Sequence, residues 1–387
     1  MVPPHFSDMP SPDLARSLFS TLLMPPARLY GLGMRLARRL VRPFVPGIPC
    51  VGVGGMQPGL PGAVLVTSWL LGWSGHHGLN PAVVTAPLRG GHGGQTLRAT
   101  PDADPGLIDA QAIALSMYAP HAAVISDADP RRAAESAVGA FRPDLLMVHD
   151  GFSRPSPARD AQVVVLGLDD LGPWFNRPVP AGRWREDASA LRRADMFVIH
   201  MDPERFTSQT PLVAKRLARF NRPVVSVFPR AWRLRRAGTR ETAQDFGGEP
   251  YLLLTTESER HTTPHALSAL LPPPRLSVIF PDGHRFTVQD LRQIVHDATR
   301  LKCPRLVCPP VTAIRLAPRL AALDGDHAVG LWTYDPDVVF GASLNPGDDF
   351  RDWWAGTWNR LSASPPPPDS GDKKTPGTGS PAPGTHS

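Results

Sequence analysis

A chain of 387 residues with 42% apolar content can bury two ordinary cores, so two domains with tails are the starting expectation. Its three cysteines, Cys50, Cys303 and Cys308, form no even framework; they exclude a disulfide scaffold and point to a reducing compartment. The net charge of +6 is carried almost wholly by arginine, since lysine occurs only at Lys215, Lys302, Lys373 and Lys374, and outside the N-terminal helices the basic residues lack the aromatic interleaving of a nucleic-acid module.

Residues 1–11 are polar and proline-rich, without the charged start, apolar run and small-residue cleavage site of a secretory signal. Residues 13–24 read as a short helix with an apolar Leu18-to-Met24 side, stopped by Pro25-Pro26. A second helix over 27–41 carries Arg28, Arg35, Arg38 and Arg39 among Leu29, Tyr30, Leu32, Met34, Leu36 and Leu40, with no acid. Neither is an uninterrupted apolar span of the length a membrane crossing needs. The pattern of residues 11–45 instead predicts basic amphipathic helices lying on an anionic membrane surface, with a solvated helix packed on the domain as the alternative.

From Gly47 short apolar strands alternate with helical stretches. Strands are predicted at 48–53, 82–85, 122–125, 145–148, 163–166, 196–199 and 224–228, with helices near 63–76, 107–118, 129–140, 187–194 and 210–220. This is the pattern of a parallel sheet with helices on both faces, in a domain over 46–246. A smaller α/β unit over 247–345 follows, with strands near 251–254, 276–279, 305–307 and 328–332 and helices near 263–270, 288–300 and 313–322. Trp353, Trp354 and Trp358 read as packing residues, and the proline-rich stretch 362–387 as disordered. His261 and His265 have metal-like spacing but no third ligand nearby.

The glycine-rich stretch Gly52 to Gly62 leaves the first strand and enters the first helix, the place where backbone N–H groups hold phosphate. Gly54, Gly55, Gly59 and Gly62 are the candidate nucleotide-binding positions. With Gly54 and Gly59 as the frame, Leu60 and Pro61 stand where a phosphate loop has lysine and serine or threonine. A dinucleotide fingerprint fails too, because its third glycine would fall on Gln57. Arg89 or Arg98 is left as a substitute cation. Two further strand ends carry candidates: Arg89 to Gly94 after the second strand, and His149-Asp150-Gly151 after the fourth, where an acid could hold magnesium.

Together these stretches resemble the tetraacyldisaccharide 4'-kinases, from Ser11 to about Phe206 and more faintly to Phe340. The likeness rests on the N-terminal arginine-rich helix, on Leu70 to Val84, on Leu88-Arg89-Gly90-Gly91-His92-Gly93-Gly94, on Pro180-Ala181-Gly182-Arg183-Trp184-Arg185-Glu186, and on Leu191-Arg192-Arg193-Ala194-Asp195. The resemblance implies a phosphate-loop-kinase-like fold and transfer of the ATP γ-phosphate to the 4'-hydroxyl of the lipid A disaccharide 1-phosphate. It implies ATP and Mg as cofactors, the lipid A disaccharide precursor and an anionic membrane surface as partners, and a peripheral place on the cytoplasmic face of the inner membrane.

Matched residue by residue, the family's catalytic aspartate falls on Asp109, its second-domain histidine on His284, and one of its paired acids on Asp150, the implied metal ligand. Arg89, Arg185 and Glu186 are the implied substrate-binding residues. The family's Thr-Glu-Lys-Asp motif falls on Cys308 to Val311 and loses its charged groups, as the loop loses its lysine. The expectation is therefore a family member with weak or lost catalysis, set against a non-catalytic relative that binds lipid or a protein partner.

Overall fold

The computed structural model describes residues 20–86, 94–172, 174–323 and 329–363. Helix α1 (Met24–Leu40) opens with Pro25 and Pro26 in its first positions. The expectation from sequence used these prolines as a stop; here they start the helix, because a first-turn N–H has no intrahelical partner to lose. Most of the helix expected over 13–24 lies outside the described residues.

Strands β1 (Cys50–Gly54) and β2 (Pro81–Thr85) are buried at every position. A short β3 (Leu97–Arg98) precedes β4 (Ala123–Ser126), β5 (Leu145–His149), β6 (Ala161–Leu166) and β7 (Met196–His200), again buried throughout. Strands apolar on both faces are what a parallel sheet sandwiched between helices requires. The helices are α2 (Pro61–His76), α3 (Ala110–Tyr118), α4 (Pro130–Phe141), α5 (Leu168–Leu171) and α6 (Pro203–Leu217).

The second half holds β8 (Val224–Arg236), β9 (Thr242–Ala243), β10 (Tyr251–Thr256), α7 (Thr262–Leu267), β11 (Leu276–Phe280), α8 (Val288–Arg300), β12 (Arg305–Val307), α9 (Pro310–Ala321), β13 (Gly330–Ser343) and α10 (Phe350–Ala363). Among the described residues all thirteen strands belong to one sheet, in the order β11-β10-β12-β13-β8-β7-β6-β1-β5-β2-β4-β3, with β9 beside β8. The two expected units thus share a sheet. They meet at β8 and β13, which run 13 and 14 residues where short strands are predicted, and pair antiparallel from Val225 opposite Ser343 to Arg236 opposite Trp332. Beyond their apolar runs both strands turn polar, so hydropathy hides them. Cross-strand pairs Arg230–Asp337 and Arg233–Asp335, each at 2.6 Å, line the extension.

This antiparallel pair of strands places the functional region. β7 runs parallel to β8 and ends with His200 opposite Val227, whereas β12 runs parallel to β13 and ends with Val307 opposite Trp332, the partner of Arg236. The two half-sheets therefore run in opposite directions, and their carboxyl ends face each other across the middle of the β8–β13 pair. The separation is about eight residues, or ~26 Å at ~3.3 Å per residue. Loops that follow strands in both halves fill the space. On one sheet face α2, α3 and α10 pack together, and Trp73 meets Trp354 and Trp358 edge-on at 5.3 and 5.4 Å.

Candidate active site at the facing strand ends

The glycine loop connects the last residue of β1, Gly54, to Leu60, the N-cap of α2. Its glycines do different jobs. Gly59 has φ +76°, a conformation that L side chains avoid. A Cβ on Gly55 would lie 2.6 Å from the Val165 carbonyl, and one on Gly62 2.8 Å from the His200 Cβ, so both allow close approach to β6 and β7. Leu60 and Pro61 offer no charge: Leu60 is buried and Pro61 begins the helix.

The loop is fastened to the site by hydrogen bonds. Gly59 N–H donates to Asp150 Oδ2 at 3.2 Å, and the Gly59 carbonyl accepts from Gln111 Nε2 at 2.9 Å. Gln111 Oε1 lies 3.2 Å from His149 Nε2, and His149 Nδ1 lies 2.9 Å from Thr67 Oγ1. Burial lowers the His149 pKa to about 4, so its ring is neutral. Because the hydroxyl can donate to Nδ1 and the amide oxygen can only accept from Nε2–H, the chain from Thr67 through His149 and Gln111 to Gly59 is consistent throughout. It ties α2, β5 and α3 to the loop.

Asp150 directly follows β5 with φ +52° and is buried. Burial raises its pKa to about 6, against the pull of Arg185 and the Gly59 N–H. Arg185 Nη1 is 3.9 Å from Oδ2, and the Arg185 backbone N–H donates to the Met56 carbonyl inside the loop. Asp150 Oδ1 is buried with no hydrogen-bond partner among the described residues.

Asp109 caps α3, accepting the Gln111 N–H at 2.9 Å, with Arg315 Nη2 3.9 Å from its Oδ2. Burial raises its pKa, opposed by Arg315 and that backbone bond. His284 lies on the opposite half-sheet, stacked on Phe280, with Nε2 2.9 Å from Asp290 Oδ2. Asp109 and His284 line one cleft of ≈ 430 Å³, together with residues 104–108, Arg285, Arg315 and Arg319. The structure thus places two of the candidate residues, Asp109 and His284, in one cleft. Across the same gap Arg183 bonds Glu257 at 2.9 Å and Asp282 at 3.3 Å.

The other candidates sit differently. Glu186 is buried and accepts two hydrogen bonds from Arg193, at 2.9 and 2.7 Å, with Arg38 of α1 at 4.0 Å; its contacts join α1 to the domain. Arg89 lies outside the described residues. Arg98 does not reach the loop, because its guanidinium stacks over Phe141, 5.1 Å from the ring centre. His265 packs against Phe228, and no metal-binding cluster occurs among the described residues. Arg315 and Gln111 are site residues to which motif reading gave no role: Gln111 lies in the run matched around Asp109 without a recognisable chemistry, and Arg315 is brought in only by the packing of α9.

A family profile described as Tetraacyldisaccharide-1-P 4'-kinase matches residues 19–345. The chain belongs to the tetraacyldisaccharide 4'-kinase family. The tetraacyldisaccharide 4'-kinase of Nitratidesulfovibrio vulgaris is 34% identical over 356 residues, covering 88% of this chain and 95% of its own. That of Oleidesulfovibrio alaskensis is 30% identical over 366 residues, covering 92% and 99%. Among solved structures, the "apo" form of LpxK from Aquifex aeolicus in complex with ATP aligns with a TM-score of 0.60 at 15% identity, over 89% of this chain and 99% of that one. That likeness establishes the fold, a phosphate-loop-kinase architecture. In the loop, the carboxylate of Asp150 takes the Gly59 N–H, a backbone donor of the kind that phosphate-binding loops offer to phosphate.

Proposed function

We propose that the protein transfers the γ-phosphoryl group of ATP to the 4'-hydroxyl of a tetraacyl disaccharide 1-phosphate, at a rate lowered by the loss of the loop lysine and hydroxyl. The observation that carries this reading is Asp109: a carboxylate of raised proton affinity, fixed at a helix N-cap, in the same cleft as His284 and one bonded step from the glycine loop through Gln111. Such a group can take the hydroxyl proton as the sugar oxygen attacks phosphorus. Arg315 beside it keeps the carboxylate in place and supplies positive charge to the cleft.

Magnesium fits at Asp150, whose buried Oδ1 lacks a partner. Magnesium is commonly held by one or two carboxylates, with water and phosphate oxygens completing its shell. When bound it would neutralise charge on the phosphates. His284, in the same cleft as Asp109, is held by its Nε2 contact with Asp290 Oδ2. At the membrane, the exposed leucines of α1 support peripheral attachment, and no helix among the described residues is long and apolar enough to cross a bilayer.

The competing reading, a non-catalytic relative that binds lipid or a protein partner, is favoured by the buried Leu60 and the Pro61 that follows it. An assay with radiolabelled ATP and a tetraacyl disaccharide 1-phosphate separates the two. Transfer by the wild type, reduced by about 10²-fold or more in Asp109→Asn, is the expected result, because an amide cannot take the proton. No transfer above background, with or without Asp109, would establish the non-catalytic reading.

A further inference from the structure

The glycine loop has lost its lysine, and Arg98 does not take its place. Phosphoryl transfer nevertheless needs fixed positive charge near the phosphate oxygens. Arg154 stands four residues beyond Asp150, held by its own N–H on the Gly151 carbonyl at 2.9 Å. Its carbonyl accepts from Arg159, and its guanidinium Nη1 donates to the Ala128 carbonyl at 3.0 Å, just past the end of β4. The guanidinium is thereby kept at the carboxyl ends of β4 and β5, close enough to feel the charges of Arg185, Asp150 and Asp129.

Burial lowers the Arg154 pKa, with the like charge of Arg185 as the next cause. Among the described residues no carboxylate forms an ion pair with Arg154. Two guanidinium groups, Arg154 and Arg185, thus act on Asp150 at the mouth of the loop, where the Gly59 N–H is already taken by Asp150 Oδ2 and Asp150 Oδ1 has no partner among the described residues. A phosphate group placed there would have guanidinium donors on two sides.

We propose that Arg154 supplies the cation that the glycine loop lacks, binding the terminal phosphate of a nucleoside triphosphate from the β4–β5 side while Arg185 holds the loop side. The inference rests on the phosphotransferase reading of this site. In the transfer step the acceptor oxygen bonds to the terminal phosphorus, and the bond to the bridging oxygen breaks with its electron pair on the departing diphosphate. The hydroxyl proton goes to Asp109. Arg154 contacts the non-bridging oxygens and neither gains nor loses a proton.

Calorimetric titration of the full chain with Mg-ATP and, separately, Mg-ADP tests this in the wild type, Arg154→Gln, Arg154→Lys and Arg98→Gln, with a thermal melt to check folding. A charge-assisted contact of this kind corresponds to about tenfold or more in affinity. Arg154→Gln should lose that factor for ATP while ADP binding stays within about twofold, Arg154→Lys should fall between, and Arg98→Gln should match the wild type. If Arg154→Gln fails to fold, Arg154→Lys decides: a loss selective for ATP supports the assignment, and equal ATP and ADP binding relative to the wild type overturns it. ATP affinity unchanged in Arg154→Gln, with the wild type binding, overturns the role of Arg154 alone. A wild type that binds neither nucleotide overturns it together with the phosphotransferase reading.

Discussion

Glu259, in the turn after β10, is buried with the Thr256 hydroxyl as its donor at 2.9 Å, and burial raises its pKa from 4.5 to about 7. A carboxyl group that binds its proton more tightly when folded stabilises the protein below its unfolded pKa. That contribution is lost as pH rises through the folded value. Above pH 7 the ionised group therefore costs about 3 kcal/mol, taking ~1.36 kcal/mol per unit. Glu259→Gln keeps a carbonyl for Thr256 and stays neutral. It should raise the melting temperature at pH 8 and leave it nearly unchanged at pH 4.5, a difference that calorimetric scans at the two pH values would measure. His149 and His200, both near pKa 4 through burial, act the other way, since their contribution is full above 6.5 and fades toward 4. At this scale the motifs pointed to Asp109, Asp150 and His284, because each is a polar side chain inside a matched run. Arg154 also lies inside a matched run, His149 to Arg154, but nothing in that run marks it as a cation for the loop. The motifs did not expose Arg315 or Glu259, which owe their place to the packing of α9 and the turn after β10.

The elements were legible where hydropathy is continuous: β1, β5, β6 and β7 fall within a residue or two of their predicted bounds, and α8 falls on 288–300 as predicted. α1 shows what hydropathy does not resolve. It docks through small residues, Ala27 and Gly31, and through Arg35 and Arg38 on Asp187 and Glu186, so the alternative of a helix packed on the domain describes its inner side. Its outer side carries Leu29, Leu32, Leu36 and Leu40, with Leu29 71% and Leu40 85% exposed, which is an apolar stripe in search of a surface. Arg28, Arg39 and Arg42 remain for anionic headgroups. Burying each leucine in the headgroup region is worth about 1.5–3 kcal/mol. Leu29→Asp with Leu36→Asp should therefore weaken binding to anionic vesicles about a hundredfold or more, as read by flotation. The melting temperature should hardly move, because both positions face solvent. Equal recovery of wild type and variant in the lipid fraction would sink the membrane role of this stripe.

For the molecule as a whole, the boundary near residue 246 expected from sequence falls after β9, ten residues beyond the end of β8, whose pairing with β13 joins the two halves. A chain reading places a domain border where apolar runs pause, and the polar half of β8 with its arginines is such a pause. In space that same stretch pairs with β13, and the chain's last helix returns to the first half, where Phe350 and Trp354 enter the core with Val51, Val53 and Val83. The main core of the first half takes in residues from beyond residue 246: a 46–246 fragment would lose the aromatic cover over Trp73 and the β13 partner of β8. The two halves should consequently unfold together, giving one transition in which tryptophan fluorescence and far-ultraviolet circular dichroism coincide, and Trp354→Ala should shift that single transition by about 3–5 kcal/mol. Two resolved transitions, or a protease-resistant fragment ending near residue 246, would mean that the shared sheet does not couple the halves. In that case the facing strand ends that form the candidate site would belong to two bodies free to move apart.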